Sequence, residues 1–136
     1  MKYFLILLML FLSACMTTKQ SVYEQLGGQT TVEKIVDHFI TEIEFDPIMY
    51  NFFKDSKIER FREKLIEHVC SLTDGPCQYT GDTMEQVHTG MNITESDFNH
   101  GVDLFIRAMK KANVPYTVQN RVLARLVPTR ANIIYL

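Results

Sequence analysis

The spacing of the apolar residues constrains the fold of this chain more than any other feature. From Ser21 onward, apolar side chains recur every three or four residues, as they do on one face of an α-helix. The clearest stripe consists of Val32, Ile35, Val36, Phe39, Ile40 and Ile43. No segment alternates apolar and polar residues for long enough to predict a strand. The sequence therefore predicts an all-α fold.

Helix-start and helix-stop signals divide this pattern into elements. A Ser or Thr followed three residues later by Glu or Asp, the pattern of a capping box, occurs at Ser21, Thr30, Ser56 and Thr94. Stop signals occur at Gly27-Gly28, Asp46-Pro47, Asp74-Gly75-Pro76 and Pro128. We expect helices that end at Leu26 and near Phe45, one from about Lys57 to Leu72 and a short one through Met84 and His88. A long helix is marked by Phe98, Val102, Phe105 and Met109, and a last one starts at Pro115.

The size and charge of the chain exclude several classes of protein. Its 136 residues correspond to one domain at most, and they suffice for a real hydrophobic core. The 14 Lys and Arg residues nearly balance the 16 Asp and Glu residues, so there is no overall basic field. We therefore expect no nucleic-acid partner.

The N-terminus has the pattern of a secretory signal. Lys2 precedes an apolar run from Tyr3 to Leu12, which is about half of the roughly 20 residues that a membrane-spanning helix needs. The sequence Leu12-Ser13-Ala14-Cys15 resembles the bacterial lipobox, in which small residues admit the signal peptidase and the cysteine sulfur takes a diacylglycerol. The alternative is an ordinary signal peptide that is cut nearby and leaves Cys15 as a free thiol.

A lipobox implies a division of the chain and a location. Residues 1–14 would be the signal peptide, residues 15–21 the lipidated cysteine with a polar tether, and residues 22–136 the folded domain. Cys15 would anchor this domain to a membrane, facing the periplasm. Met16 follows the cysteine in place of the Asp that favours retention in the inner membrane, so we expect the outer membrane.

Four histidines are the candidate metal ligands of the predicted helices. His38 and His100 lie off the apolar faces of their helices, and we expect both to be solvated. His68 borders the apolar stripe of its helix. His88 lies four residues after Met84 on the inward face of the short helix. Spacing alone is equally consistent with a ligand and with a buried core histidine at His88.

Five motifs in order resemble group I truncated haemoglobins over roughly residues 22–134. They are Tyr23-Glu24-Gln25-Leu26-Gly27-Gly28, Phe52-Phe53, Gly75-Pro76-x-x-Tyr79-Thr80-Gly81, Met84-x-x-x-His88 and Ile93-Thr94-x-x-x-Phe98. The resemblance implies a two-over-two helical sandwich around one haem b, with His88 as the proximal iron ligand. It also implies a diatomic gas as ligand.

The same resemblance implies further pocket residues. Aromatic and apolar contacts to the haem would come from Phe39, Phe53, Met84 and Phe98. Lys64 is the best placed of several cations for a haem propionate, and Tyr79 would hydrogen-bond a propionate or pack beneath its loop. Each of these residues is also consistent with an ordinary core or surface role.

The distal side departs from the family pattern. Many members carry Tyr directly after the Phe of the second helix and Gln on the facing helix, and both donate hydrogen bonds to the gas. This chain has Phe39-Ile40, and Leu65 stands where the Gln often lies, with Phe61 one turn earlier. We expect a pocket of Ile40, Phe61 and Leu65 without a polar atom, fast oxygen dissociation and quick oxidation to the ferric state.

Two nearby polar side chains, Tyr50 and His68, are the ones that could restore a hydrogen bond, although His68 lies one turn too far along its helix. The favoured function is binding of oxygen, CO or NO rather than dedicated enzymatic activity. The alternatives are redox, peroxidase-like or NO-detoxifying chemistry, with an unknown redox partner, and a haem-free helical lipoprotein that acts by interaction. Cys70 and Cys77 remain as a pair after Cys15, and we expect them to form a disulfide.

Overall fold

The computed structural model describes residues 19–136, so the predicted signal peptide, Cys15 and most of the tether lie outside the described residues. Within residues 19–136 the regular structure is entirely helical, as predicted. The α-helices are α1 (Val22–Leu26), α2 (Gln29–Glu44), α3 (Tyr50–Phe53), α4 (Ile58–Leu72), α5 (Met84–His88), α6 (Glu95–Lys111) and α7 (Tyr116–Leu126), and a 3₁₀ helix (Val127–Asn132) follows. None of these helices is long and apolar enough to cross a membrane.

The capping boxes predicted at Ser21 and Thr94 are confirmed, because each side chain accepts from the backbone N–H three residues on. The box predicted at Thr30 is wrong. Gly27 and Gly28 have φ values of 99° and 73°, and this left-handed corner starts α2 at once, which leaves Thr30 in the first turn. The box predicted at Ser56 is also wrong, because Lys57 is the N-cap of α4 and makes no side-chain capping bond, although the helix does begin within one residue of the expected Lys57.

The core is built around α2, which packs against both α4 and α6. The larger cluster joins buried residues of α1, α2, α4, α6 and α7, and Val32, Ile35 and Val122 are fully buried in it. A smaller cluster of Ile43, Met49 and Leu104 lies beneath the aromatic side chains near α3. The two clusters hold α4 and α6 in fixed positions around the site described below.

The predicted disulfide between Cys70 and Cys77 is confirmed. It joins the end of α4 to the segment that leads to α5. Gly75 makes the tight return possible: its N–H donates to the Cys70 carbonyl at 2.8 Å, and a Cβ at Gly75 would lie 2.6 Å from Cys70 Sγ. The end of α4 and the start of the next loop are therefore joined covalently.

His100, which we expected to be solvated, is only partly exposed and is paired with a carboxylate. Its Nε2 lies 2.7 Å from Asp46 Oδ2, and the imidazole is 28% exposed. Asp46 lies at the break after α2, so this contact ties the break to α6. Burial raises the pKa of Asp46, but hydrogen bonds from the Met49 N–H and from His100 outweigh it, and the pKa is lowered.

Candidate functional site

A cavity of about 600 Å³ lies between α4, α5, α6 and the C-terminal residues, a volume typical of cofactor sites. The sequence-predicted site residues that line it are Phe39, Phe53, Phe61, Lys64, Leu65, Tyr79, Met84, His88 and Phe98. Most of the wall is aliphatic or aromatic. The fold thus brings nine of the ten predicted residues to one cavity.

Ile40 is the exception, because it is absent from the cavity lining. It is half-buried against the larger core cluster, while Phe39 faces the cavity and packs edge-on against Phe105, with ring centroids 5.3 Å apart. Successive residues on a helix point about 100° apart. The rotation of α2 directs Phe39 toward the cavity and Ile40 toward the core, so the prediction that Ile40 lines the pocket is wrong.

His88 ends α5, whose start is fixed by a capping box between Thr83 and Gln86. Its Nδ1 lies 2.6 Å from the Met84 carbonyl oxygen. Since a carbonyl only accepts, Nδ1 carries the proton, and Nε2 is left with a free lone pair. Burial lowers the pKa of His88, although the bond to Met84 acts in the opposite direction. The imidazole is thus neutral at pH 7 and suited to bind a metal through Nε2.

One face of α4 runs along the cavity and presents Phe61 and Leu65 to it. Phe61 packs against Phe53 with ring centroids 4.8 Å apart. Neither side chain has a hydrogen-bond donor. This part of the wall is apolar, as the sequence predicts.

His68, one turn beyond Leu65, also lines the cavity, although its position on the helix had been expected to lie one turn too far along. Its ring packs edge-on against Tyr79 with centroids 5.0 Å apart, and within residues 19–136 its nitrogens make no hydrogen bond to protein. Burial, and to a lesser extent repulsion from the protonated form of His88, lowers the pKa of His68. The helical spacing from Phe61 through Leu65 was the signal that places it there. Tyr50 is half exposed and is not part of the lining.

Other lining residues were missed because they come from distant parts of the chain. They include Met91 and Ile93 before α6, Leu123 and Leu126 of α7, and Ile133 after the 3₁₀ helix. Their apolar character is the one sequence signal that they carry.

Three cations stand along the α4 side of the cavity, namely Lys57, Arg60 and Lys64. The Lys64 ammonium donates to Glu63 Oε1 at 2.8 Å, Glu67 Oε1 at 2.9 Å and Thr80 Oγ1 at 2.8 Å, which uses all its protons. Arg60 makes one looser contact of 3.6 Å to Asp82, and both side chains are exposed. Arg60 and Lys57 are therefore better suited than Lys64 to pair with an added carboxylate.

Comparisons with known proteins identify the family of this fold. The profile of the bacterial-like globin family matches residues 21–135. A group 1 truncated haemoglobin of Mycolicibacterium paratuberculosis is 30% identical over 108 residues, which are 79% of each chain. The crystal structure of a truncated haemoglobin from Tetrahymena pyriformis in its Fe(III) form superposes with a TM-score of 0.83 at 25% identity and covers 86% of this chain and all of that one. A group II truncated haemoglobin from Bacillus anthracis shares the fold, with a TM-score of 0.77.

The chain belongs to the bacterial-like globin family, and it is a truncated globin. The predicted two-over-two helical fold is confirmed, and haem is the cofactor. The cavity fits this cofactor: it has an apolar wall for the porphyrin, a neutral imidazole with a free Nε2, and cations at one edge for the propionates.

Proposed function

We propose that this chain binds haem b through His88 Nε2 and that the haem takes up a diatomic gas, namely oxygen, CO or NO. The observation that carries the proposal is the 2.6 Å bond between His88 Nδ1 and the Met84 carbonyl, because it fixes the tautomer that ligates iron. Haem iron supplies the gas-binding chemistry. The protein supplies the ligand, the apolar wall and the charges at the rim.

The remaining pocket residues have roles in this proposal. Phe39, Phe53, Met84 and Phe98 pack against the porphyrin and exclude water. Phe61 and Leu65 form an apolar surface without a donor for the gas.

At the edge of the cavity, Arg60 and Lys57 pair with the propionates, and Lys64 instead stays with its two glutamates. The Tyr79 hydroxyl donates its one proton to the Asp82 carbonyl at 2.7 Å. This favours packing beneath the loop as the role of Tyr79, rather than donation to a propionate.

The apolar wall favours gas binding over NO detoxification, because that reaction needs a stable oxygen complex. Redox or peroxidase-like chemistry remains the second candidate, since the cavity reaches exposed side chains such as Val87. The haem-free alternative has no support, because haem is the cofactor of the family.

Reconstitution with hemin tests the ligand. We expect the wild-type protein to develop a Soret band, and reduction to give a resonance Raman band from an iron–histidine bond. His88→Ala removes that band. His38→Ala is the matched control, because His38 lies outside the cavity lining and its loss leaves the spectrum unchanged. An iron–histidine band that persists in His88→Ala contradicts the assignment.

We also propose that Cys15 is lipidated and anchors the domain in the cell envelope, facing the periplasm, at the outer membrane. The lipobox supports this location, and so does the disulfide between Cys70 and Cys77, because disulfides persist in the periplasm and are rare in the cytosol. Several acyl chains together hold a protein firmly where one is marginal.

Metabolic labelling with a radioactive fatty acid tests the anchor. We expect the wild-type protein to incorporate the label and to sediment with outer membranes, and Cys15→Ser to do neither. Cys70→Ser is the control: it should still carry the label, which would show that the loss of label in Cys15→Ser is specific to that cysteine. Absence of label from the wild-type protein contradicts the proposed lipidation. Recovery of the wild-type protein with inner membranes contradicts the proposed location at the outer membrane.

A further inference from the structure

The helix that carries His88 has little packing of its own. The α5 helix has five residues, none of them buried, and Val87 is 46% exposed. A helix this short is marginal in isolation and needs tertiary contacts to hold it. The 3₁₀ helix (Val127–Asn132) contacts α5 on one side, so the position of His88 is set by that contact together with the segments that enter and leave α5.

The entering segment is attached to α4 at two points. The first is the disulfide at Cys77. The second is Glu67, whose Oε2 accepts hydrogen bonds from the Thr80 N–H at 2.9 Å and from the Thr80 hydroxyl at 2.8 Å. The other oxygen, Oε1, accepts from Lys64 at 2.9 Å, and Lys64 in turn donates to Thr80. Glu67, Lys64 and Thr80 thus form a closed set of contacts between α4 and the loop.

Glu67 is ionised under all ordinary conditions. The hydrogen bond from the Thr80 N–H, together with those from Lys64 and the Thr80 hydroxyl, holds the pKa of Glu67 at about 2. An ionised carboxylate that accepts from an N–H, a hydroxyl and an ammonium makes stronger bonds than a neutral acceptor. The side chain is 22% exposed, so water competes for it only in part.

The position of Thr80 makes this contact more restrictive than the disulfide. The disulfide leaves residues 78–83 free before α5 begins, whereas the Glu67 contact leaves only residues 81–83. That remaining span is itself ordered, since the Tyr79 ring packs over Gly81 and leaves no room for a side chain there. The capping box of Thr83 follows directly.

We propose that Glu67 is a positioning residue for the haem-iron ligand: it clamps Thr80 to α4 and so fixes where α5 presents His88. This inference rests on the proposed role of His88 as the ligand. In this proposal α4 controls the geometry of the iron–histidine bond through the carboxylate of Glu67, which itself touches neither haem nor gas.

Three variants of the full chain, each reconstituted with hemin, test the proposal. Glu67→Ala removes the clamp, and Glu67→Gln keeps one acceptor oxygen without the charge. Glu63→Gln is the matched control, because Glu63 pairs with the same Lys64 at 2.8 Å but makes no bond to the loop. The readouts are the iron–histidine band in the ferrous resonance Raman spectrum and the rate of hemin transfer to excess apomyoglobin.

We expect Glu67→Ala to shift or broaden the iron–histidine band and to raise the transfer rate by up to about tenfold, the lower end of the range for loss of a direct hydrogen-bond partner of a metal ligand, because Glu67 acts on His88 through the loop. Glu67→Gln should fall between Glu67→Ala and the wild type, and Glu63→Gln should match the wild type. A Glu67→Ala protein with the wild-type band and transfer rate overturns the proposal, as does an equal change in Glu63→Gln.

Two further measurements keep the outcomes separate. If Glu67→Ala does not fold, Thr80→Val removes the hydroxyl from the same contact and should give a smaller shift in the same direction; an unshifted band then overturns the proposal. Failure of the ligand assignment has a different signature, because the band then persists in His88→Ala whatever residue stands at position 67.

Discussion

Replacing Leu65 with Gln should slow oxygen dissociation, because it adds a hydrogen-bond donor to an apolar part of the pocket. Leu65 is half-buried on the cavity face of α4, one turn beyond Phe61. Gln is one bond longer than Leu and similar in volume, so its amide reaches just beyond the position of the Leu methyl groups. The substitution therefore tests the apolar wall with little change in volume.

The magnitude follows from the charge that oxygen acquires in a ferrous haem protein. A hydrogen bond to a charged partner contributes about 1.5 to 3 kcal/mol, which corresponds to roughly ten- to a hundredfold in affinity. Partial charge and imperfect geometry favour the lower end. We expect the oxygen off-rate of Leu65→Gln to fall by about tenfold, and CO binding, which is less polarised, to change much less.

Stopped-flow mixing of the oxygenated ferrous protein with CO and dithionite measures this off-rate. Leu65→Met is the control, since it keeps the length of the side chain without a donor. A wild-type off-rate as slow as that of Leu65→Gln would refute the reasoning, because a donor would then already be present. His68→Leu identifies that donor: it should accelerate dissociation only if the His68 imidazole reaches the gas.

Three further predictions concern stability. Cys77→Ser should destabilise the domain by about 2 to 3 kcal/mol in the chain-entropy model. Urea unfolding with and without reductant measures this difference. Mass spectrometry should find no free thiol at Cys70 in the untreated wild type. Ile35→Ala should cost about 2 to 5 kcal/mol in the same assay, because Ile35 is fully buried in the larger cluster, and a loss below 1 kcal/mol would contradict that packing. The apo protein should lose stability as pH falls below about 6.5, because the pKa values of His68 and His88 are both lowered in the folded state and the unfolded state binds these protons more readily. His68→Phe should reduce this dependence without removing it.

The sequence contains much of the fold because helical periodicity and local caps are short-range signals. The stripe on α2 predicted which face is buried, and the boxes at Ser21 and Thr94 predicted two helix starts correctly. A third box, at Thr83, has Gln86 three residues on in place of Glu or Asp, and the acidic pattern therefore does not include it. The false start at Thr30 shows the limit of the signal, since the glycine corner before it determined where α2 begins.

The site was harder to predict where it depends on the rotation of a helix. The identities of Phe39 and Ile40 could not establish which one faces the cavity, because both belong to the apolar stripe of α2 and the contacts of that helix with α4 and α6 decide its rotation. The Glu67 contact to Thr80 joins residues 13 positions apart across a loop, and no local pattern indicates it. His68 is intermediate, since its spacing on α4 indicated the cavity face.

The two attachments of the α5 entry segment should respond differently to the surroundings of the protein. The Cys70–Cys77 bond forms only where thiols are oxidised, whereas the Glu67 contact needs only a pH well above its pKa of about 2. A protein whose disulfide is reduced should therefore be less stable. Its ferrous iron–histidine band should nevertheless match that of the disulfide-bonded protein, because Thr80 remains held to α4. Reduction in the Glu67→Ala background should, by contrast, release the whole segment and change the band further. Equal effects of reduction in the two backgrounds would show that the attachments act independently and that Glu67 does not hold α5 once the disulfide is open.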